Sequence, residues 1–384
     1  MAIGIDRQYL FEFNLGGLKN FIQQDDLIMF KIIEETGNVL PTFDLAFITQ
    51  DERVIGLLNE GTDLNLSYGR SREDLTNTPL SVMSLKFKSQ GQDKRVVRAK
   101  GLYSAIEYLN DSKLFISDFK SGVEVIKDKA SVFFDTSDEE YFNIETSTDS
   151  QRWIQCNQSD KKFLQEVWLH SHVPNSFLAC GISMDGRFIL KDMKKEAGNF
   201  KWRFVPHAPA NRNDIRYDSD FGVSSNGGFI NSWTGYGNEQ FTYNGITGFQ
   251  SSVTSEIEPI LALTDSVPRR NTITKKHKQS LITTGNMHEN YWNAYQNNIN
   301  HLTQFSSIEY QLSFTGIFKD IKVLDLVSVK DFAVTSLSGE AAEYHSGLYY
   351  VGKVVRIVQE NTFTTVCKLY RESFNSITGD FIAS

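Results

Sequence analysis

Phe43-Asp44-Leu45-Ala46-Phe47 and Leu64-Asn65-Leu66-Ser67-Tyr68 decide the fold class. In each stretch every second residue is large and apolar, and a period of two places those side chains on one face of an extended strand. Met83, Leu85 and Phe87 repeat the pattern. Gly37-Asn38, Gly61 and Gly91 interrupt the runs as turns, since glycine enters positive φ without a Cβ penalty. Asp51 to Glu60 carries Val54, Leu57 and Leu58 at helical spacing and closes at Gly61. The opening hundred residues therefore predict an antiparallel barrel or sandwich with one small helix. Lys94, Arg95, Arg98 and Lys100 read as a solvated strand edge.

Further along, Asp111 to Ser150 is polar and acidic and reads as a connection. Ser159-Asp160 offers an N-cap for a helix with Phe163, Leu164, Val167, Trp168 and Ser171 on one face, stopped by Pro174. Ala179 to Met184 and Arg187 to Lys191 flank Asp185-Gly186, a strong short-range hairpin signal. Asn199 to Thr284 is the least regular part, with Gly, Ser and Asn around Phe229, Trp233 and Tyr236. Then Tyr291, Tyr295, Asn298 or Ile299, and Leu302 mark an amphipathic helix over His288 to Gln304 whose other face is mostly Asn and Gln. Strands at Ile308–Phe314 and Val323–Val329 follow. A hairpin of Leu348–Val358 and Thr362–Tyr370 closes the chain, turning at Glu360-Asn361. The expected architecture is mainly β with α insertions, an α+β chain. Two antiparallel barrel or sandwich units occupy residues 1–110 and 285–384, the second led by its helix. Residues 111–284 hold the connection, an inserted α/β domain and irregular loops.

The chain has 384 residues, 40% hydrophobic and 12% aromatic, with 28 Phe and 15 Tyr against 7 Pro, enough for two or three cores rich in strands. Its net charge of −8 opposes general nucleic-acid binding, which needs a basic face. Cys156, Cys180 and Cys367 lie far apart with no C-x-x-C, as in a reduced chain folded in a cytosol. Met1 to Arg7 shows no basic segment leading into an apolar one, and no run approaches a membrane span. A soluble protein made inside a cell is expected.

The chemistry-bearing motifs are missing: no Walker loop, dinucleotide fingerprint, H-E-x-x-H or G-x-S-x-G occurs. Gly181 to Gly186 imitates a nucleophile elbow at the wrong spacing, and the Asp-Gly hairpin explains it better. His170 and His172, two apart on a helix, face different ways and do not share an ion. Arg269, Arg270, Lys275, Lys276 and Lys278 form a basic stretch that reads as a loop meeting solvent or an acidic neighbour, with phosphate contact as the competing reading. The aromatic and glycine cluster from Phe229 to Tyr243 reads as an oligomer contact or mobile loop, with a sugar platform as the competing reading. No catalytic residue, cofactor-binding residue, metal ligand or cofactor is assigned.

The order of elements resembles the baseplate hub proteins of T-even-type contractile phages, and more distantly the late-control and spike-base proteins of contractile injection systems. The likeness is carried by Gly61 with Leu64-Asn65-Leu66-Ser67-Tyr68-Gly69, and by Phe163-Leu164-Gln165-Glu166-Val167-Trp168 followed by Asp185-Gly186. It is densest in Leu281-Ile282-Thr283-Thr284-Gly285, the polar helix ending near Leu302, and Leu348-Tyr349-Tyr350-Val351-Gly352-Lys353-Val354-Val355. Asn199 to Thr274 departs from it. The resemblance implies a non-enzymatic homotrimer in the virion tail, assembled in the host cytoplasm. Each subunit would supply two β tube domains, so three make a pseudo-sixfold ring around a channel for DNA. It implies a central spike protein, tail tube or tube-initiator proteins, and wedge and tape-measure proteins as partners, without membrane insertion or sequence-specific nucleic-acid binding. Trp292, Tyr295, Trp233 and Tyr236 are the candidate interface anchors, with packing inside the chain as the competing reading. A carbohydrate- or receptor-binding module and a tail-associated cell-wall hydrolase are the alternative functions.

Overall fold

The computed structural model describes residues 10–69, 73, 75–91, 93–142, 144, 147–196, 200–206, 211, 213–225, 238–243, 250–255, 279–283, 287–288, 290–316, 320–330, 346–359 and 362–372. The protein is mainly β with α insertions.

The first unit comprises β1 (Leu10–Leu15), β2 (Leu27–Glu35), β3 (Thr42–Thr49), β4 (Asp63–Gly69), β5 (Thr76–Gln90) and β6 (Lys94–Tyr103). They lie in the order β1-β4-β5-β6-β3-β2, every pair antiparallel. Phe43, Leu45, Phe47, Leu64, Leu66 and Tyr68 all enter its core, as their period-two spacing requires. Two expectations fail here. Met83 is 46% exposed because it is the bulge residue between Val82 and Ser84, and the core positions fall to Leu80, Val82 and Leu85; Phe87 keeps the core parity, opposite Val97, yet stays 44% exposed. Lys94 to Lys100 is not an edge: β6 is paired on both sides, to β5 and β3. The small helix α1 (Glu52–Leu57) forms with Asp51 as its cap and buries Val54 and Leu58, while Leu57 turns to solvent.

The middle unit begins earlier than its composition suggests. Asp111 to Ser150 holds β7 (Lys113–Ile116) and α3 (Gly122–Ala130), preceded by α2 (Ile106–Asn110). A reciprocal capping box between Ser121 and Glu124 starts α3, which buries Val123, Val125 and Ile126. The charged residues there form the wet face of an amphipathic helix, so a polar composition concealed a packed element. β8 (Ile154–Gln158) pairs with β7. The helix α4 (Asp160–His170), capped by Ser159, contributes Phe163, Leu164, Val167 and Trp168 to the same core. The hairpin β9 (Leu178–Ile182) and β10 (Phe188–Asp192) turns at Asp185-Gly186, with Gly186 at φ +81.

The second unit gathers β11 (Trp202–Val205), β12 (Asp214–Arg216), β13 (Ser219–Ser225), β17 (Ile308–Thr315), β18 (Leu326–Val329), β19 (Gly347–Gln359) and β20 (Thr362–Arg371). Between them β14 (Asn238–Tyr243), β15 (Gln250–Ser255) and β16 (Gln279–Thr283) form a separate three-stranded sheet, and α5 (Tyr291–Phe305) follows. Strands therefore run through the segment expected to be least regular. The antiparallel expectation also has an exception: β11 pairs in parallel with β12 and β18. The turn at Glu360-Asn361, the basic stretch Arg269–Lys278, Trp233 and Tyr236 lie outside the described residues. Among those described, no helix is long and apolar enough to cross a membrane.

Candidate functional site: the joint between the two β units

β19 is the strand on which the molecule is joined. Its second half pairs antiparallel with β2, Lys353 opposite Glu35 and Gln359 opposite Met29, so both units share one continuous sheet. Residues on the core-facing parity of β2 are Phe30, Ile32 and Glu34; on β19 they are Val354, Arg356 and Val358. A charge on each strand thus occupies an apolar position. The two meet in a salt bridge, Glu34 with Arg356, each side chain 1% exposed.

Neither charge has only the other. Glu34 Oε1 accepts the Met184 N–H at 2.6 Å, and Arg356 Nη2 donates to the Ile321 carbonyl at 2.6 Å. The pair therefore ties together the first unit, the second unit and the Asp185-Gly186 hairpin of the insert. Backbone bonds reinforce it: Thr36 N–H donates to the Gly352 carbonyl at 2.9 Å and Gly37 N–H to the Cys180 carbonyl at 2.7 Å. Burying charge is costly unless it is paired and hydrogen-bonded, and each of these charges has the other and a backbone partner.

Further ion pairs bind the insert to the second unit. Lys322 reaches Asp185 at 2.8 Å, and Lys191 reaches Asp325 at 3.5 Å with side chains 6% and 1% exposed. Burial pushes the Asp185 carboxyl up, but Lys322, Ser183 and Arg187 outweigh it and hold the group below its ordinary value. Asp325 goes the other way: burial raises it despite Lys191 and Lys201. Each of these carboxylates faces a cation, an arrangement suited to fixing three bodies in one geometry. Among the described residues no group of three His, Cys, Asp or Glu is placed to hold a metal ion.

The helix α5 locks the other side. His170 is sandwiched by Tyr291 at 3.6 Å and Tyr295 at 4.7 Å between ring centroids, with Trp292 edge-on at 5.2 Å. Its Nδ1 lies 3.1 Å from the Tyr291 carbonyl. Burial brings its pKa from 6.5 to about 4. Trp292 and Tyr295, two of the expected interface anchors, are half-buried and packed within the chain on His170. His172 sits apart, its Nδ1 3.3 Å from Thr148 Oγ1. At the far end of α5, Phe305 meets Tyr350 and Tyr370 of the second unit.

Sequence reasoning missed the joint and one further residue. Asn298 Nδ2 donates to the carbonyls of Leu169 at 3.0 Å and Ser171 at 3.2 Å, capping the end of α4 from another helix. A polar residue at the i+7 position from Tyr291, on the buried face of α5, was its signal. For the joint, the signal is a Glu at the third core-phase position of β2 and an Arg amid the valines of β19.

The architecture defines a class: two β units in one sheet with an α/β insert wedged against their joint. No family model and no curated protein sequence matches the chain. Among solved structures, it is similar to the tail protein from Neisseria meningitidis MC58, with a TM-score of 0.59 at 9% identity over 95% of this chain and 97% of that one. It is also similar to the 43 kDa tail protein of prophage MuSo2 from Shewanella oneidensis, with a TM-score of 0.56 at 10% identity over 96% and 100%. Both likenesses are likenesses of fold, running nearly end to end.

Proposed function

We propose that this chain is a structural subunit of a phage tail baseplate, in which three copies close into a hub ring between the central spike and the tail tube. The observation that carries the reading is the β2–β19 ladder, which sets two β units side by side in one polypeptide. Threefold repetition of such a pair gives six wall segments, and closure removes sheet edges that would otherwise aggregate. The end-to-end fold similarity to two tail proteins of matching length supports it. On this reading the subunit turns over no substrate, resides in the virion tail, and binds its own copies and a spike protein. The ion pairs of the joint keep the two wall segments at a fixed angle. Electron microscopy of the purified chain tests this: class averages should show a threefold particle with six lobes around a hole. A twofold or solid particle overturns the ring.

A further inference from the structure

The outward face of the joined sheet is charged unevenly. On the second unit, outward lysines have carboxylates opposite them: Lys353 meets Glu35 at 3.2 Å and Lys368 meets Glu309 at 2.6 Å. On the first unit Asp44 stands opposite Lys31 and Lys100, whereas Lys86, Lys88, Lys94 and Arg98 have no carboxylate opposite them in the register. The bulge in β5 and the register of β6 place Lys86, Lys88, Lys94, Arg98 and Lys100 on one face, all exposed, with Lys86 directly opposite Arg98. The carboxylate set among them is Asp44 of β3, already held by Lys100 at 3.0 Å. Asp93 lies in the turn beyond. Among the described residues, Lys86, Lys88, Lys94 and Arg98 have no ion-pair partner. This cluster sits on a chain of net charge −8, so bulk charge does not account for it.

We propose that this face of β5 and β6 is a polyanion-binding surface whose occupant is the phosphate backbone of double-stranded DNA. Strand geometry fixes the cations about 6.7 Å apart along each strand and about 4.8 Å apart between strands, a flat, dense grid. Duplex DNA presents one charge per about 1.7 Å of axis, and neutralising it releases counterions. A protein partner would be expected to bring an apolar or aromatic anchor to its centre. No aromatic side chain stands among these five cations; Phe87 lies on the opposite side of β5. Contacts of these cations with phosphate carry no sequence information, so the surface reads charge and not sequence.

The proposal is independent of the hub reading and is tested on the full chain whatever its oligomeric state. Fluorescence anisotropy with duplexes of two unrelated sequences, between about 50 and 200 mM salt, gives the affinity and its salt slope. Both duplexes should bind equally, with a log–log slope of about −4.5 for five neutralised phosphates. Lys86→Glu with Arg98→Glu should weaken binding at least about ten-fold and cut the slope by about 2. The neutral pair Lys88→Gln with Lys94→Gln should cut the slope similarly without new charge, and Lys353→Gln with Lys368→Gln should change neither. Absence of salt-dependent binding, or binding indifferent to the first two pairs, overturns the proposal. So does tighter binding of labelled polyglutamate than of DNA, which would make an acidic protein the occupant.

Discussion

Glu34 and Arg356, 322 positions apart in sequence, form a buried salt bridge where the two β units meet. Removing one partner leaves an uncompensated charge in the interior, which typically costs about 3–5 kcal/mol. Glu34→Gln and Arg356→Met should each lower the urea midpoint sharply. The double replacement Glu34→Leu with Arg356→Met should recover most of the loss, because an apolar pair of similar volume avoids desolvation. Additive losses in the double variant would contradict the assignment of this pair as a mutually dependent tie.

Close packing at the strand crossing of the first unit predicts a backbone effect. A Cβ on Gly101 would lie 2.0 Å from the Ser81 carbonyl oxygen and 2.6 Å from the Phe43 ring. Backbone cannot yield as a side-chain tip can, so Gly101→Ala should destabilise by about 1–3 kcal/mol. Gly17, with nothing within 4 Å, is the matched control. Thermal melts of the two alanine variants should separate clearly.

The aromatic sandwich predicts a pH dependence. His170 has a folded pKa of about 4 against 6.5 when exposed. Above 6.5 it is neutral in both states and the stability is complete. As pH falls from 6.5 toward 4 the unfolded chain takes up a proton that the folded one refuses, so stability drains by about 3 kcal/mol. His170→Phe preserves the stack and removes the titration. The difference between wild type and this variant, measured by denaturation from pH 7 to 4, should fall steadily with pH; a constant difference would contradict the burial of His170.

Asn298→Ala should cost about 1–3 kcal/mol by stripping donors from the last carbonyls of α4, while Asn298→Gln should not restore them because the longer arm misplaces the amide. Hydrogen exchange at Ser171 and His172 is the local readout.

Thiol labelling gives a further check. Cys156 is exposed, whereas Cys180 and Cys367 are buried. Burial pushes the Cys367 thiol up to about 12 and raises Cys180 further. One thiol should react rapidly at neutral pH and two only in denaturant.

Much of the fold was legible where a signal is local. Phe43, Leu45 and Phe47 declare their strand by alternation, Ser159 declares a helix start, and Asp185-Gly186 declares a hairpin. What was not legible depends on pairing distant segments. The β5 bulge is invisible in composition, so Met83 looked like a core residue. α3 was hidden because its wet face dominates the count of charges. β11 pairs in parallel with β12 and β18, which no short-range pattern announces. The joint needs β2 to find β19, and only the tertiary register turns Glu34 and Arg356 from two surface charges into one buried pair.

Three copies around a hole is the claim on which the functional account depends, and the mass of the purified chain in solution reaches it directly. Light scattering should give a particle of three times the 43.7 kDa chain for the protein alone, and a heavier one when a phage-tail spike protein is added. A strictly single-chain species in both samples would contradict it.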